Sequence, residues 1–167
     1  NMMAALANGG TLYRPRVVDK IESVDGTVVR EYGPEKIRTI SLKPTTLERL
    51  HKALADVVRG PGGTGAAARS SIVEIAGKTG TAQVVEMKGG YVKTEQLAYF
   101  NRDHAWFVAY APVQNPKIAL ATLIEHGGHG GDAAAPLAKK VIEKYMELQA
   151  RTPGQQQARI EGTTRAD

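Results

Sequence analysis

The spacing of apolar residues changes several times along this chain, and each change marks a different element. Leu47, Leu50, Leu54, Val57 and Val58 recur at helical spacing and form one apolar stripe. Pro44 precedes that run, Thr45 and Glu48 form a capping box, and Gly60 closes it, so a helix is predicted over 45–59. Around Asp25-Gly26 the period drops to alternation. The β-branched runs 17–23 and 27–32 on either side of that dipeptide predict a hairpin. Three further strands are expected over about 73–85, 105–111 and 117–125. The polar segment Glu86 to Asp103 links the first two, and Asn115-Pro116 supplies a tight turn before the third. Consecutive strands joined in this way favour an antiparallel sheet. Met2, Met3, Leu6 and the nearby alanines read as the end of a helix stopped by Asn8-Gly9-Gly10. A last helix is expected from about Ala133 to Gln149, with Pro136 in its first turn. Leu137, Val141, Tyr145 and Leu148 would be its buried face. Pro, Gly, Gln and charged residues dominate after Ala150, which predicts a folded part over 1–149 and a disordered tail over 150–167. The fold class expected is α/β in the broad sense, of α+β type, with the C-terminal helix packed on an antiparallel sheet.

Composition narrows the class of molecule. A hydrophobic content of 42% fits a soluble globular domain with a real core. Apolar runs fall short of the roughly 20 residues that span a bilayer, and the first residues lack the basic lead of a signal peptide. Any targeting or anchoring element is therefore expected upstream. The net charge is +5, but Lys and Arg are scattered and aromatics are few, so no nucleic-acid partner is expected. The chain has no cysteine, which excludes disulfides, thiolate metal sites and cysteine nucleophiles.

The candidate chemistry centres on Ala76-Gly77-Lys78-Thr79-Gly80-Thr81-Ala82-Gln83. On a strand, Thr79 and Thr81 place two hydroxyls on one face, an arrangement suited to a carboxylate, although Thr is also an ordinary strand residue. The Lys78 ammonium can polarise a hydroxyl or hold an anion; a surface lysine on an edge strand is the plainer reading. Gly80 admits a close backbone approach or marks a bulge. A Lys-Thr-Gly triplet is one of three motifs of penicillin-recognising serine sites.

Other patterns carry less. Gly60-Pro61-Gly62-Gly63-Thr64-Gly65 matches a dinucleotide loop formally, but it follows a helix and contains Pro, so it reads as a flexible connector. A phosphate loop ending at Gly77-Lys78-Thr79 would need Gly at position 72, where Ile72 stands. His126-Gly127-Gly128-His129, with Glu125 and Asp132 near it, fits a Gly-rich strand-to-helix turn better than a metal site. Neither metal nor cofactor is expected. Asp103-His104 reads equally well as an Asp-His pair and as the plain start of a strand. Ser23, Ser41, Ser70 and Ser71 all lack Lys three residues on, so none forms Ser-x-x-Lys. Ser70 and Ser71 stay open as unrecognised nucleophiles, although no adjacent base is visible. Tyr99-Phe100-Asn101 matches a Tyr-x-Asn motif, but in the wrong order relative to Lys-Thr-Gly.

Taken together, these residues resemble the C-terminal part of the transpeptidase domain of the class B penicillin-binding proteins, in the elongation-type penicillin-binding protein 2 branch. The resemblance runs from Asn1 to about Gln149. It rests on 1–10, Gly65-Ala66-Ala67-Ala68-Arg69, 77–83, 103–112 and Glu125-His126-Gly127-Gly128-His129-Gly130. The Ala-Gln after Lys-Thr-Gly-Thr and the His-Gly-Gly-His turn favour this branch over the septal one. The resemblance implies part of a serine β-lactamase-like fold, with the nucleophile helix, the all-helical subdomain and an early sheet strand absent and one sheet face short of its usual cover. It implies a peptidoglycan D,D-transpeptidase that cross-links stem peptides ending in D-alanyl-D-alanine and binds β-lactams. An upstream serine would be the nucleophile. Lys78 would serve the proton network, Thr79 and Thr81 would bind the terminal carboxylate, Gly80 would border the substrate, and the Thr81 N–H would give half of the oxyanion hole. Implied partners are an elongation glycosyltransferase and scaffold proteins. The implied location is a membrane-anchored parent with its catalytic domain on the outer, periplasmic side. The alternative is a non-catalytic penicillin-sensing or interaction module on the same fold.

Overall fold

The computed structural model describes residues 1–85 and 93–151. In chain order the elements are α1 (Met2–Ala7), β1 (Thr11–Tyr13), β2 (Lys20–Glu22), β3 (Val28–Glu31), β4 (Lys36–Thr39), α2 (Pro44–Arg59), β5 (Ala76–Ala82), β6 (His104–Ala111), β7 (Ile118–Ile124) and α3 (Ala134–Ala150). The class is mixed α and antiparallel β, as expected. Part of the polar link expected over 86–103, namely 86–92, lies outside the described residues, as does 152–167 of the expected tail. Among the described helices, none is long and apolar enough to cross a membrane.

Strands β5, β6 and β7 form an antiparallel sheet in that order, which leaves β5 at one edge. Side chains alternate across a strand, so the register assigns each one a face. Thr79 pairs with Phe107 and Thr81 with Ala105, whereas Lys78 pairs with Val108 and Gly80 with Trp106. On one face Ala105, Phe107, Ala109 and Ala111 of β6 are fully buried, in one cluster with Val58 of α2 and with Ala134, Ala135, Ala138 and Ile142 of α3. The opposite face packs Tyr110 and Ala76 against Met3 of α1 and Ala55 of α2. Its cover ends there: Trp106 and Leu123, cross-strand partners on that face, remain 36% and 41% exposed. The Tyr110 hydroxyl is buried without a partner among the described residues. Burial, and secondarily the Glu74 carboxylate, push its pKa above the ordinary phenol value.

The Asp25-Gly26 hairpin forms between β2 and β3, with Gly26 at φ +84° and the Ser23 N–H donating to the Thr27 carbonyl. Its strands are shorter than the alternation suggested. A second pair, β1 with β4, has no counterpart in the expected elements, because its strands are short and far apart in sequence, with no turn dipeptide like Asp25-Gly26 joining them directly. The stop after α1 forms as expected, with the Gly10 N–H closing on the Ala5 carbonyl. Asn115-Pro116 does not form a tight turn. The bend runs over 112–115, and the Lys117 N–H returns to the Ala111 carbonyl.

Two helix expectations need correction. The N-cap of α2 is Lys43, without a side-chain cap, and Pro44 takes the first helical position, so Thr45 lies inside the helix and the Thr45–Glu48 capping box does not form. The buried face of α3 is Ala134, Ala135, Ala138 and Ile142, not Leu137, Val141, Tyr145 and Leu148. Leu137, Val141 and Leu148 are 42%, 47% and 38% exposed. The physical reason is distance of approach: three alanines allow the helix axis close to the sheet, and larger side chains would hold it off. Val141, Tyr145 and Leu148 instead line a shallow apolar surface groove with Ile118. Ile142→Val should therefore cost about 1 kcal/mol. Val141→Ala should cost under about 0.5 kcal/mol. Urea unfolding of the two variants checks the assignment of the face.

Candidate active site

The segment 76–83 reaches the surface because β5 is an edge strand of which only the first two residues, Ala76 and Gly77, are buried. Gly77 lies flat on β6, where a Cβ would meet the Phe107 ring at 2.6 Å and the Val108 carbonyl at 2.7 Å. Beyond it, Lys78, Thr79, Gly80 and Thr81 form one wall of an open cleft of about 440 Å³. Thr64 of the glycine-rich connector borders the cleft beside Thr79. The rest of the lining is the turn His129-Gly130-Gly131-Asp132, which leads into α3.

That turn presses its backbone onto the strand. A Cβ at Gly130 would fall within 3.0 Å of the Trp106 carbonyl and of the Gly80 backbone nitrogen and oxygen. Gly80 is thus packed against the turn on its own chain. Gly131 meets the Thr64 carbonyl in the same way. The Lys78 Nζ bends back along the strand, donating to the Thr79 carbonyl at 2.8 Å and approaching Thr79 Oγ1 at 3.4 Å. Thr79 Oγ1 in turn lies 3.0 Å from Thr64 Oγ1. An ammonium and three hydroxyls are therefore grouped at an open rim, next to backbone amides of an edge strand. Such a set binds an anionic oxygen and stabilises one that develops during reaction.

The sequence model of the penicillin-binding protein transpeptidase domain matches residues 1–143. The chain belongs to this family. It is 37% identical over 145 residues to the peptidoglycan D,D-transpeptidase MrdA of Haemophilus influenzae, an alignment covering 84% of this chain and 22% of that protein. Among solved structures, the D,D-transpeptidase domain of a peptidoglycan glycosyltransferase from Eggerthella lenta superposes with a TM-score of 0.67 at 31% identity, covering 87% of this chain and 30% of that one. The penicillin G acyl-enzyme complex of penicillin-binding protein A from Mycobacterium tuberculosis gives 0.66 at 29%, again covering 87% and 30%. The chain thus spans less than a third of the length of each of these proteins.

Within this transpeptidase domain the other candidate residues have structural partners. The Asp103 carboxylate accepts the Val84 N–H at 3.3 Å, and the Asp103 carbonyl accepts that of Gly128 at 2.8 Å. His104 Nδ1 accepts the His126 N–H at 2.9 Å, and the His126 Nδ1 lies 3.1 Å from the Arg102 carbonyl, which makes it the donor. These bonds tie the ends of β5, β6 and β7 to the turn that carries His129. The cleft lining includes His129 and excludes His104 and His126. Tyr99 and Phe100 pack their rings on His126. No three metal-ligating side chains converge among the described residues. Ser70 donates to the Glu143 carboxylate at 2.7 Å and accepts the Ile72 N–H at 3.0 Å, so its hydroxyl organises the loop beside α3 and is not part of the cleft lining. Sequence reasoning missed Thr64, Gly130 and Asp132 as cleft residues. The only trace of Thr64 was its place in the glycine-rich connector.

Proposed function

We propose that this chain supplies the Lys-Thr-Gly wall of a peptidoglycan D,D-transpeptidase site, and that the serine nucleophile belongs to the part of the protein outside it. The observation that carries the reading is the grouping of Lys78, Thr79, Gly80 and Thr81 along an open edge-strand cleft in a chain of this family. In the reaction, the serine oxygen attacks the carbonyl of the penultimate D-alanine of a stem peptide. The terminal D-alanine leaves with a proton, and an ester to the enzyme remains. An amine of a second stem then attacks that ester, forming the cross-link and returning the serine. Lys78 serves the proton network and the local field, and Thr79 and Thr81 hold the terminal carboxylate. The Thr81 N–H stabilises the oxyanion of each tetrahedral intermediate, and Gly80 borders the peptide. β-Lactams follow the first half of the path and stop at the ester. The parent protein acts at the outer side of the cytoplasmic membrane, with an elongation glycosyltransferase and scaffold proteins as partners.

Catalytic groups that act as a unit are strongly non-additive, so this chain alone should turn over no substrate. Intact-mass spectrometry after incubation with a penicillin tests the reading. The full-length protein should gain the mass of the drug and this chain should not. Acylation of this chain by itself would place a nucleophile within it, with Ser70 and Ser71 the first to be mapped. A full-length protein that is folded but unreactive would reject the reading.

A further inference from the structure

We infer that Thr64 is a positioning residue for the Thr79 hydroxyl and, through it, sets the preference of the site for ligands that end in a carboxylate. The inference rests on the transpeptidase reading above.

The geometry begins with the connector. Its backbone folds back onto the end of α2, where the Gly65 N–H bonds the Val57 carbonyl at 2.9 Å. Arg69 adds a clamp, donating to the Val58 and Gly60 carbonyls at 2.8 and 2.9 Å. On the other side Gly131 closes on the Thr64 carbonyl. Thr64 is therefore held between the end of α2 and the turn before α3, although its residue surface is exposed. A segment that reads as a flexible linker is in fact fastened at both ends.

The chemistry follows from counting donors. A hydroxyl has one proton and two lone pairs, an ammonium only donates, and a carboxylate only accepts. At Thr79 Oγ1 the neighbours are Thr64 Oγ1 at 3.0 Å and Lys78 Nζ at 3.4 Å. When Thr64 and Lys78 both donate to Thr79 Oγ1, both of its lone pairs are engaged. Its own proton then points out of the group into the cleft, where a carboxylate oxygen can accept it. Asp132 in the same lining, an anion itself, makes a correctly aimed donor more important for holding a second anion in the cleft. Thr64 thus fixes the rotamer of Thr79 and the direction of its proton.

The test uses the full-length protein and two ligands, a penicillin with its free carboxylate and the same penicillin as its methyl ester. Thr64→Val should lower the acylation rate constant for the acid by about five- to tenfold, the effect of one neutral hydrogen bond. The rate for the ester should change by less than about twofold, and Thr64→Ser should restore the acid to near the wild-type rate. An unchanged rate for the acid would overturn the inference, as would an equal loss for both ligands or a Ser variant that behaves like Val. Wild-type protein that fails to acylate would remove the underlying reading, an outcome separate from an acylating wild type with an unaffected Val variant.

Discussion

Lys78→Met in the full-length protein should lower the rate of acylation by a penicillin about 100- to 1000-fold, the scale of removing one preorganised charge-stabilising group. The same variant should unfold at close to the wild-type temperature. Lys78 is exposed directly after the buried start of β5, and its hydrogen bonds run to the backbone and side chain of its neighbour Thr79, not to a distant element. Met keeps much of the length and apolar stem, so the substitution removes chiefly the ammonium. Its loss deprives the cleft of a positive charge and leaves Thr79 Oγ1 without the Lys78 Nζ donor at 3.4 Å. Stopped-flow acylation kinetics paired with thermal unfolding separates the two quantities. A large loss of rate at constant stability supports a chemical role. A parallel loss of both would reduce Lys78 to a structural residue of the edge strand.

Gly130→Ala should have the largest effect on the shape of the site. The added methyl would collide with backbone atoms of two strands at once, Gly80 in β5 and the carbonyl of Trp106 in β6. Trp106 lies in the central strand β6, whose backbone has little room to yield, so the cost should reach about 3 kcal/mol, the upper part of the range for overpacking. Relief requires the turn to lift, which carries His129, Gly131 and Asp132 away from β5 and releases the contact of Gly131 with Thr64. Reduced stability in urea should therefore appear together with slow acylation. Gly33→Ala is the control. Nothing lies within 4 Å of its Cβ position, so it should stay within about 0.5 kcal/mol of wild type.

Much of the architecture was legible before any coordinates. The helix over 44–59 has a three-and-four spacing and a glycine stop; the hairpin has its Asp-Gly; β6 and β7 are short apolar runs, and β5 carries the contiguous Lys-Thr-Gly-Thr motif. All of these signals are local, involving residues a few positions apart. Where the reading of α3 failed, the cause was a competition that periodicity does not decide. That helix carries one face of large apolar residues and one of alanines, and the sheet took the alanines because they permit the closer approach. The capping box failed because Pro44 suits the first helical position and moved the start of the helix ahead of Thr45.

The sequence by itself determined the three helices, the Asp-Gly hairpin, the three strands of the main sheet, the family and the strand that carries Lys78, Thr79, Gly80 and Thr81. Short-range preferences and a contiguous motif encode all of these. Only the tertiary structure decided what completes the cleft. Thr64 and Thr79, 15 residues apart in sequence, meet because the connector is tied back onto α2 and β5 lies at the sheet edge. Gly130 reaches Gly80 because the register of β5, β6 and β7 brings the start of β6 and the end of β7 beside the open end of β5. Such contacts depend on how close two backbones can come, a property of the packed sheet and its turns that no run of neighbouring residues carries.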